Sequence, residues 1–542
     1  MVVGPRRGAG KRFLVLFVAM ALILGACGND DDDAAVDPVP TDDNGAVPSD
    51  DGEVCTEDRR GGTVTYGTGV EIAGVDPTVA LGTGFAGLVE LLAMYDPLMR
   101  YDVDTGEYVP FLAESLEPND DLTEWTVRIR EGITYGNGDP VTVDALQLNI
   151  ERLAESARQS AGLAQQIIDF EIVDDHTIVL TNEGPTGMMP HILSTEVGLL
   201  VNPAVLEERG EDDFPTNPTG AGTGPFEFDR LVPGEELVFT AKDDWWGGPV
   251  CIETLRFINI AGAAGTWEAV QAGEVQVAIL SDVIVSSEAR EAGAEAFSGI
   301  TGSNGTLFLN HRDGHPTSDL RVRQAVAHAL DPELIDDRVF DGMGLPSTGL
   351  AHPDMRIYPG IDGLEFDPER ASELAEQAKA DGWDGTLVLV GTDLGTAVDT
   401  SIVIEALLGN VGIEVIRENL PPAEANERIL FENDYDLAMQ GIALVDTGPY
   451  GRLSRYHSTS PNNRPGVDDA GIDAALEQLR VAVTEDEIVD AMAELQTAWN
   501  EVLPLVTYTA GEWFIAADHD VVRGLAFTAD VTTMFHQAYV VQ

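Results

Sequence analysis

The chain has 542 residues, 44% of them hydrophobic, and its 94 acidic against 30 basic residues give a formal charge of −64. That length exceeds a single hydrophobic core and predicts two or three domains. The charge excludes nucleic acid, which is gripped through cationic surface, and its spread along the whole chain reads as a solvated surface rather than one cation-recruiting cleft.

The chain opens with Arg6, Arg7, Lys11 and Arg12, an apolar run from Phe13 to Leu24, and Leu24-Gly25-Ala26 directly ahead of Cys27. The run falls short of the ~20 apolar residues a spanning helix needs, and its flanks are those of an export signal, so residues 1–26 are expected to be a signal peptide. Small residues before a lone Cys resemble the bacterial lipobox. That resemblance implies cleavage ahead of Cys27 and lipidation of its sulfur, with acyl chains anchoring at ~0.8 kcal/mol per buried CH2. A plain secretory peptide and a single-span anchor are the alternatives.

Residues 27–60, beginning with that Cys, hold Asp30 to Asp33, Asp42-Asp43, Asp50-Asp51 and several Pro, with almost nothing to pack, and are expected to form a disordered acidic linker. Only Cys55 and Cys251 remain beyond Cys27. In an oxidising exterior two Cys can pair, and a Cys55–Cys251 disulfide is expected, with two buried thiols as the alternative.

Gly61 to Gly67 alternates as a strand and opens the folded region. Phe85 to Met94 has helical spacing. Tyr101 to Tyr108 predicts a hairpin turning at Asp104 to Gly106, Trp125 to Arg130 a strand, and Glu171 to Leu180 two strands around a turn. Thr142 is placed to cap a helix carrying Leu146, Ile150 and Leu153. Gly220 to Phe226 lacks the Lys-Ser/Thr ending of a phosphate loop and runs into a strand, so it reads as a flexible crossing between domains.

Further on, Asp319 caps a predicted helix from Leu320 to Leu330, and Asp331-Pro332 follows as its stop. Asp367-Pro368-Glu369 starts another helix, and Thr484 with Glu487 makes a capping box for a third, ending before Pro504. Thr386 to Val390 and Ile413 to Ile416 read as buried strands. Helices alternating with strands predict mixed α/β domains.

Chemistry is sparse. No Gly-x-Ser-x-Gly elbow or His-Glu-x-x-His helix occurs, and His311 and His315, at a metal-like spacing, sit in a turn made by Gly314 and Pro316. Neither a catalytic set nor a metal or cofactor site is expected.

Tyr95-Asp96-Pro97-Leu98, Val109 to Ser115, Trp125-Thr126-Val127, Asn137-Gly138-Asp139-Pro140-Val141-Thr142, Gly222 to Phe226 and Asp319 to Asp331 occur in an order and spacing that resembles the family 5 extracellular solute-binding proteins, the dipeptide, oligopeptide and nickel receptors of ABC importers. The resemblance implies an α/β fold of the periplasmic-binding-protein type II, two lobes with a hinge and an extra inserted α/β domain. Lobe I would comprise residues 61–97, 225–304 and 503–542, the inserted domain 98–224, and lobe II 305–502.

It further implies a lipid-anchored monomer outside the cytoplasm, in the cell envelope or periplasmic space, that binds a peptide or small molecule between its lobes and delivers it to permease and ATPase subunits. Nickel chelates, oligosaccharides or opines are alternative ligands, and an envelope hydrolase is the alternative from another class. In peptide-binding relatives an Asp after a Gly-Trp strand end pairs with the peptide's amino terminus. Here Ile442 stands in place of the Trp and Asp446 comes one residue late, so Asp446, with Ala443, Leu444 and Val445 leading to it, is the expected anchor. Thr83, Phe85 and Asn310 are the further cleft candidates.

Overall fold

The computed structural model describes residues 55–80, 87–156, 158, 160–528 and 530–541. In chain order its strands are β1 (Thr63–Thr68), β2 (Met99–Asp102), β3 (Glu107–Pro110), β4 (Ala113–Pro118), β5 (Glu124–Ile129), β6 (Ile167–Asp174), β7 (Thr177–Asn182), β8 (Phe226–Val232) and β9 (Glu236–Ala241). These are followed by β10 (Thr254–Asn259), β11 (Val277–Leu280), β12 (Glu295–Leu309), β13 (Leu345–Pro346), β14 (Thr386–Thr392), β15 (Glu414–Leu420), β16 (Leu437–Gln440) and β17 (Leu505–Ala517).

One eleven-stranded sheet runs in the order β15-β14-β16-β12-β17-β11-β1-β10-β9-β8, with β13 attached to β17. Its two ends have separate cores. At one end, the alternation of a strand puts Leu387 and Leu389 of β14 on one face and Val390 on the other. Leu307 and Leu309 of β12 likewise oppose Phe308. The helices Leu320–Ala329, Pro368–Ala380 and Gly395–Asn410 cover the first face, and Ala470–Val481 with Glu485–Val502 the second. At the other end, Val64 and Tyr66 of β1 join Leu255 and Phe257 of β10 in a third core.

Among the described residues, β12 and β17 are the strands that serve both ends. Val506 and Tyr508 of β17 belong to one core, whereas Ile515 and Ala517 belong to the other, and β12 is paired to β17 on both sides of an irregular stretch between Thr301 and Gly305. A separate four-stranded antiparallel sheet, β4-β5-β7-β6, packs Trp125, Val127 and Leu180 against the helix Asp144–Glu155. This mixed α/β architecture is what the alternation of elements predicts.

Local signals behave as their chemistry requires. Asp319, Asp367 and Asp331 each accept a backbone N–H at a helix start, and the Thr484–Glu487 capping box is complete. Asp331-Pro332, read as a stop, therefore also begins the helix Pro332–Val339, because Pro at the first turn loses no hydrogen bond. Thr142 does not cap: its hydroxyl is turned to the Asp144 carboxylate, and Val143 occupies the cap position. β15 lies at the sheet edge, which leaves Ile416 46% exposed where a buried strand was expected.

The segment 220–226 is likewise no flexible crossing. A Cβ on Gly222 would lie 2.1 Å from the Met94 carbonyl oxygen and one on Gly224 2.6 Å from the Met94 carbonyl carbon, so these glycines allow backbone to pack on backbone. Thr223 Oγ1 accepts from Asp96 N at 3.0 Å. The buried Asp96 carboxylate in turn receives the indole N–H of Trp245 and of Trp246 at 3.2 and 2.6 Å. Near the start of the described chain Cys55 and Cys251 are joined by a disulfide across 196 residues, packed with Tyr539.

Candidate functional site

Two cavities lie on either side of Gln440, the smaller against the passage of β12 and β17 and the larger reaching β12 at Phe308. The larger, of about 470 Å³, is walled by the four-stranded-sheet region through His191 and Glu196, by the segment after β16 through Val445, Thr447 and Arg452, and by Asp530 near the chain end. The smaller, of about 320 Å³, is walled by Asp282, Asn304, Thr396 and Gly511, among others. Gln440, the last residue of β16, lines both.

The segment from Gly441 to Asp446 owes its course to backbone pairing. Ile442 N donates to Ser303 O at 2.9 Å, Gly302 N to Leu444 O at 2.8 Å, and Leu444 N to Gly302 O at 2.9 Å. Ala443 adopts φ 51°, an unusual value for a residue with a Cβ, and this kink turns the chain from strand into loop. Ile442 and Leu444 are then driven into the core and Val445 and Thr447 into the cavity wall.

Asp446 faces the other way. Its Oδ1 accepts from Ile357 N at 3.3 Å, burial raises its pKa, and hydrogen bonds from the Ile357 and Arg356 backbone oppose that rise. It lines neither cavity, nor do Ala443 and Leu444. Asn310 is fully buried, and its side-chain N–H groups are spent on the carbonyls of Asn433 and Tyr435, both at 2.9 Å. Val445 is the residue among those expected that the structure brings to the cavity. Cys27, Thr83 and Phe85 lie outside the described residues.

His311 and His315 point to separate partners, the Leu503 carbonyl at 3.0 Å and Asp436 Oδ1 at 2.9 Å. Burial holds the His311 imidazole down to about 4. Among the described residues no group of three His, Cys, Asp or Glu side chains is disposed to hold a metal.

The electrostatics of the larger cavity are set by residues that sequence reasoning passed over. Arg452, Arg455 and Arg464 all line it. Arg464 Nη2 donates to Asn462 Oδ1 at 3.1 Å, while burial lowers the Arg452 pKa and Asp530 counters that effect. Burial likewise depresses His191 to about 4, and its Nδ1 meets the Tyr108 hydroxyl at 2.9 Å. The Glu196 carboxyl is pushed up to about 7 by burial, partly offset by the Ser160 hydroxyl. A signal was present in the sequence: residues 447–467 contain these three arginines and no acidic residue at all, in a chain with 94.

The wall is closed by a close approach between distant segments. Gly448, at φ 53°, packs under the His191 ring, and a Cβ there would lie 2.3 Å from Cδ2. The arrangement can enclose a small solute between surfaces contributed by three separated stretches of chain. Its lining is mostly polar, with Glu196, Thr447, Arg452 and Asp530 set among a few apolar side chains such as Leu163 and Val445, the character of a pocket for a polar solute.

Comparison with known proteins agrees with this geometry. The chain is 25% identical over 371 residues, 66% of its length and 68% of the relative, to a Brucella ovis protein that bears the name of an ABC transporter peptide-binding protein. It is similar in structure to the binding protein AgaA of A. tumefaciens R10 in complex with agropinic acid, with a TM-score of 0.69, 24% identity, and 89% and 99% of the two chains covered. It is similar also to DppA of Helicobacter pylori in complex with the peptide STSA, with a TM-score of 0.72, 19% identity, and 89% and 99% covered. These likenesses show the type II periplasmic-binding-protein fold. The family model for bacterial extracellular solute-binding proteins, family 5 Middle, matches residues 107–464, and the chain therefore belongs to the family 5 extracellular solute-binding proteins of bacteria.

Proposed function

We propose that this solute-binding protein captures peptides in the space beside β12 and β17 and delivers them, without making or breaking a bond, to the permease and ATPase subunits of an ABC importer. The observation that carries the reading is the pair of cavities meeting at Gln440, beside the two strands that, among the described residues, run between cores at opposite ends of one sheet. Residues 61–97, 225–304 and 503–542 would move as one lobe and 305–502 as the other, with 98–224 riding on the first. A solute touching both lobes stabilises the closed form by its differential affinity for it. The relatives named for peptide binding support the ligand class. The same reading makes the protein a monomer, tethered outside the cytoplasm by lipid on Cys27.

A non-peptide solute is the second reading, favoured by Asp446, whose carboxylate is engaged with Ile357 rather than facing the cavity. Native mass spectrometry of the protein purified from its host separates the two. Co-purified peptide masses are expected; a single non-peptide mass would replace the first reading with the second, and a protein that neither retains nor binds any small solute would remove both.

A further inference from the structure

Arg452 and Arg455 stand one helical turn apart on the short helical stretch Pro449 to Tyr456, and both line the larger cavity. In so acidic a chain basic side chains are usually consumed by carboxylates. Arg152, for example, is paired with both Asp76 and Glu211, and Arg321 with both Asp319 and Asp381. Among the described residues, no ion pair or hydrogen bond engages the guanidinium of Arg452 or Arg455. The charges near Arg452 are Asp530, which favours its charged form, and Arg455, which opposes it.

The same wall carries a second, independent feature. Among the described residues two of its side-chain hydroxyls are buried without a hydrogen-bond partner, Tyr456 Oη and Thr447 Oγ1, in residues only 0% and 4% exposed. Native interiors satisfy such atoms almost without exception, so two of them beside one cavity leave hydrogen-bonding capacity that the protein itself does not use. The charge balance says which kind. Three guanidinium groups face two carboxyls, Asp530 and Glu196, and burial keeps a large share of Glu196 protonated near neutral pH and so able to donate.

We propose that the cavity receives a carboxylate of its solute between Arg452 and Arg455, with the hydroxyls of Thr447 and Tyr456 completing its hydrogen bonds. Guanidinium groups suit this task because their fixed N–H forks match the two oxygens of a carboxylate. The substrates are then carboxylate-bearing solutes: a peptide entering by its carboxyl end or an acidic side chain, or a free organic acid. This rests on the receptor reading above and narrows it.

The test is calorimetric titration of the full chain, stripped of co-purified solute, with trialanine, its C-terminal amide, glucuronate and succinate, in the wild type, R452Q/R455Q and R452K/R455K. The acid form of trialanine is expected to bind at least about tenfold more tightly than the amide, a difference that R452Q/R455Q abolishes and R452K/R455K partly keeps. Binding of glucuronate or succinate alone, lost in R452Q/R455Q, would uphold the carboxylate site and remove the peptide reading. An amide that binds as tightly as the acid would overturn the carboxylate site and leave the peptide reading standing. Absence of binding by all four probes would overturn the site as well. Should R452Q/R455Q fail to fold, the comparison of acid with amide in the wild type decides alone.

Discussion

Gly302 and Leu444 exchange both of their backbone hydrogen bonds, at 2.8 and 2.9 Å, and so fasten the cavity-lining loop to β12 where that strand passes between cores. The contact depends on the missing side chain, since a Cβ on Gly302 would lie 2.3 Å from the Leu350 carbonyl oxygen. Gly302→Ala is expected to cost ~2 kcal/mol of stability and to displace Val445 and Thr447. Urea unfolding and solute titration check both effects, and unchanged affinity would dissociate the loop's course from this pairing.

The disulfide between Cys55 and Cys251 closes a loop of 196 residues. Chain-entropy reasoning puts its contribution near ~5 kcal/mol. Reductant is expected to lower the melting temperature of the wild type and to leave that of C55A/C251A unmoved. Equal melting curves with and without reductant would show that the covalent link contributes nothing.

Glu90 is buried in the core helix Leu88–Met94, its Oε2 has no hydrogen-bond partner among the described residues, and burial pushes its carboxyl up to about 7. A folded pKa above the unfolded value of 4.5 means stability fully present below pH 4.5 and lost as pH rises through about 7. Glu90→Gln should remove that slope and be more stable than the wild type above about pH 8, by up to ~3 kcal/mol. Denaturant titrations across this pH range give the answer; parallel curves for the two proteins would refute it.

Arg323 is 7% exposed and holds three carbonyls, donating from Nε to Val502 O at 2.9 Å and from Nη1 to Thr317 O and Ser318 O at 2.8 and 2.9 Å. It ties the helix Leu320–Ala329 to the end of the helix Glu485–Val502. Arg323→Met keeps much of the packing but orphans those oxygens, for an expected loss of about 3 kcal/mol. Thermal unfolding measures it, and a melting temperature within error of the wild type would count against the bracing role.

The features legible in the sequence are the local ones. A capping box, an Asp-Pro helix start and the Asp104–Gly106 turn depend on neighbours a few residues away, and all are found where their chemistry puts them. β12 was not legible as one strand, because Gly299, Gly302, Asn304 and Gly305 are residues that favour turns, whereas pairing of Gly299 and Gly305 with β17 and of Gly302 with Leu444 carries the strand through an irregular stretch. The segment Gly220 to Phe226 misled for a related reason: glycine signals freedom in an isolated chain, but here it serves close approach to Met94. In the candidate site, Val445 followed from its place after the strand end, whereas Arg452, Arg455 and Asp530 come together only in three dimensions. Asp446 shows the limit of reasoning by position, since one residue along an extended loop reverses the direction of a side chain.

The order in which the chain is made bears on how it must be handled. β17, which separates β12 from β11 at the middle of the great sheet, comes from residues 505–517 of 542. Until it has been synthesised, β11 and β12 each present a bare row of N–H and C=O groups, the kind of edge on which chains stick to one another. Late, long-range pairing of this sort is slow to form and prone to aggregation meanwhile. A truncation removing only the last few dozen residues would therefore yield two half-sheets with adhesive margins rather than a smaller working receptor.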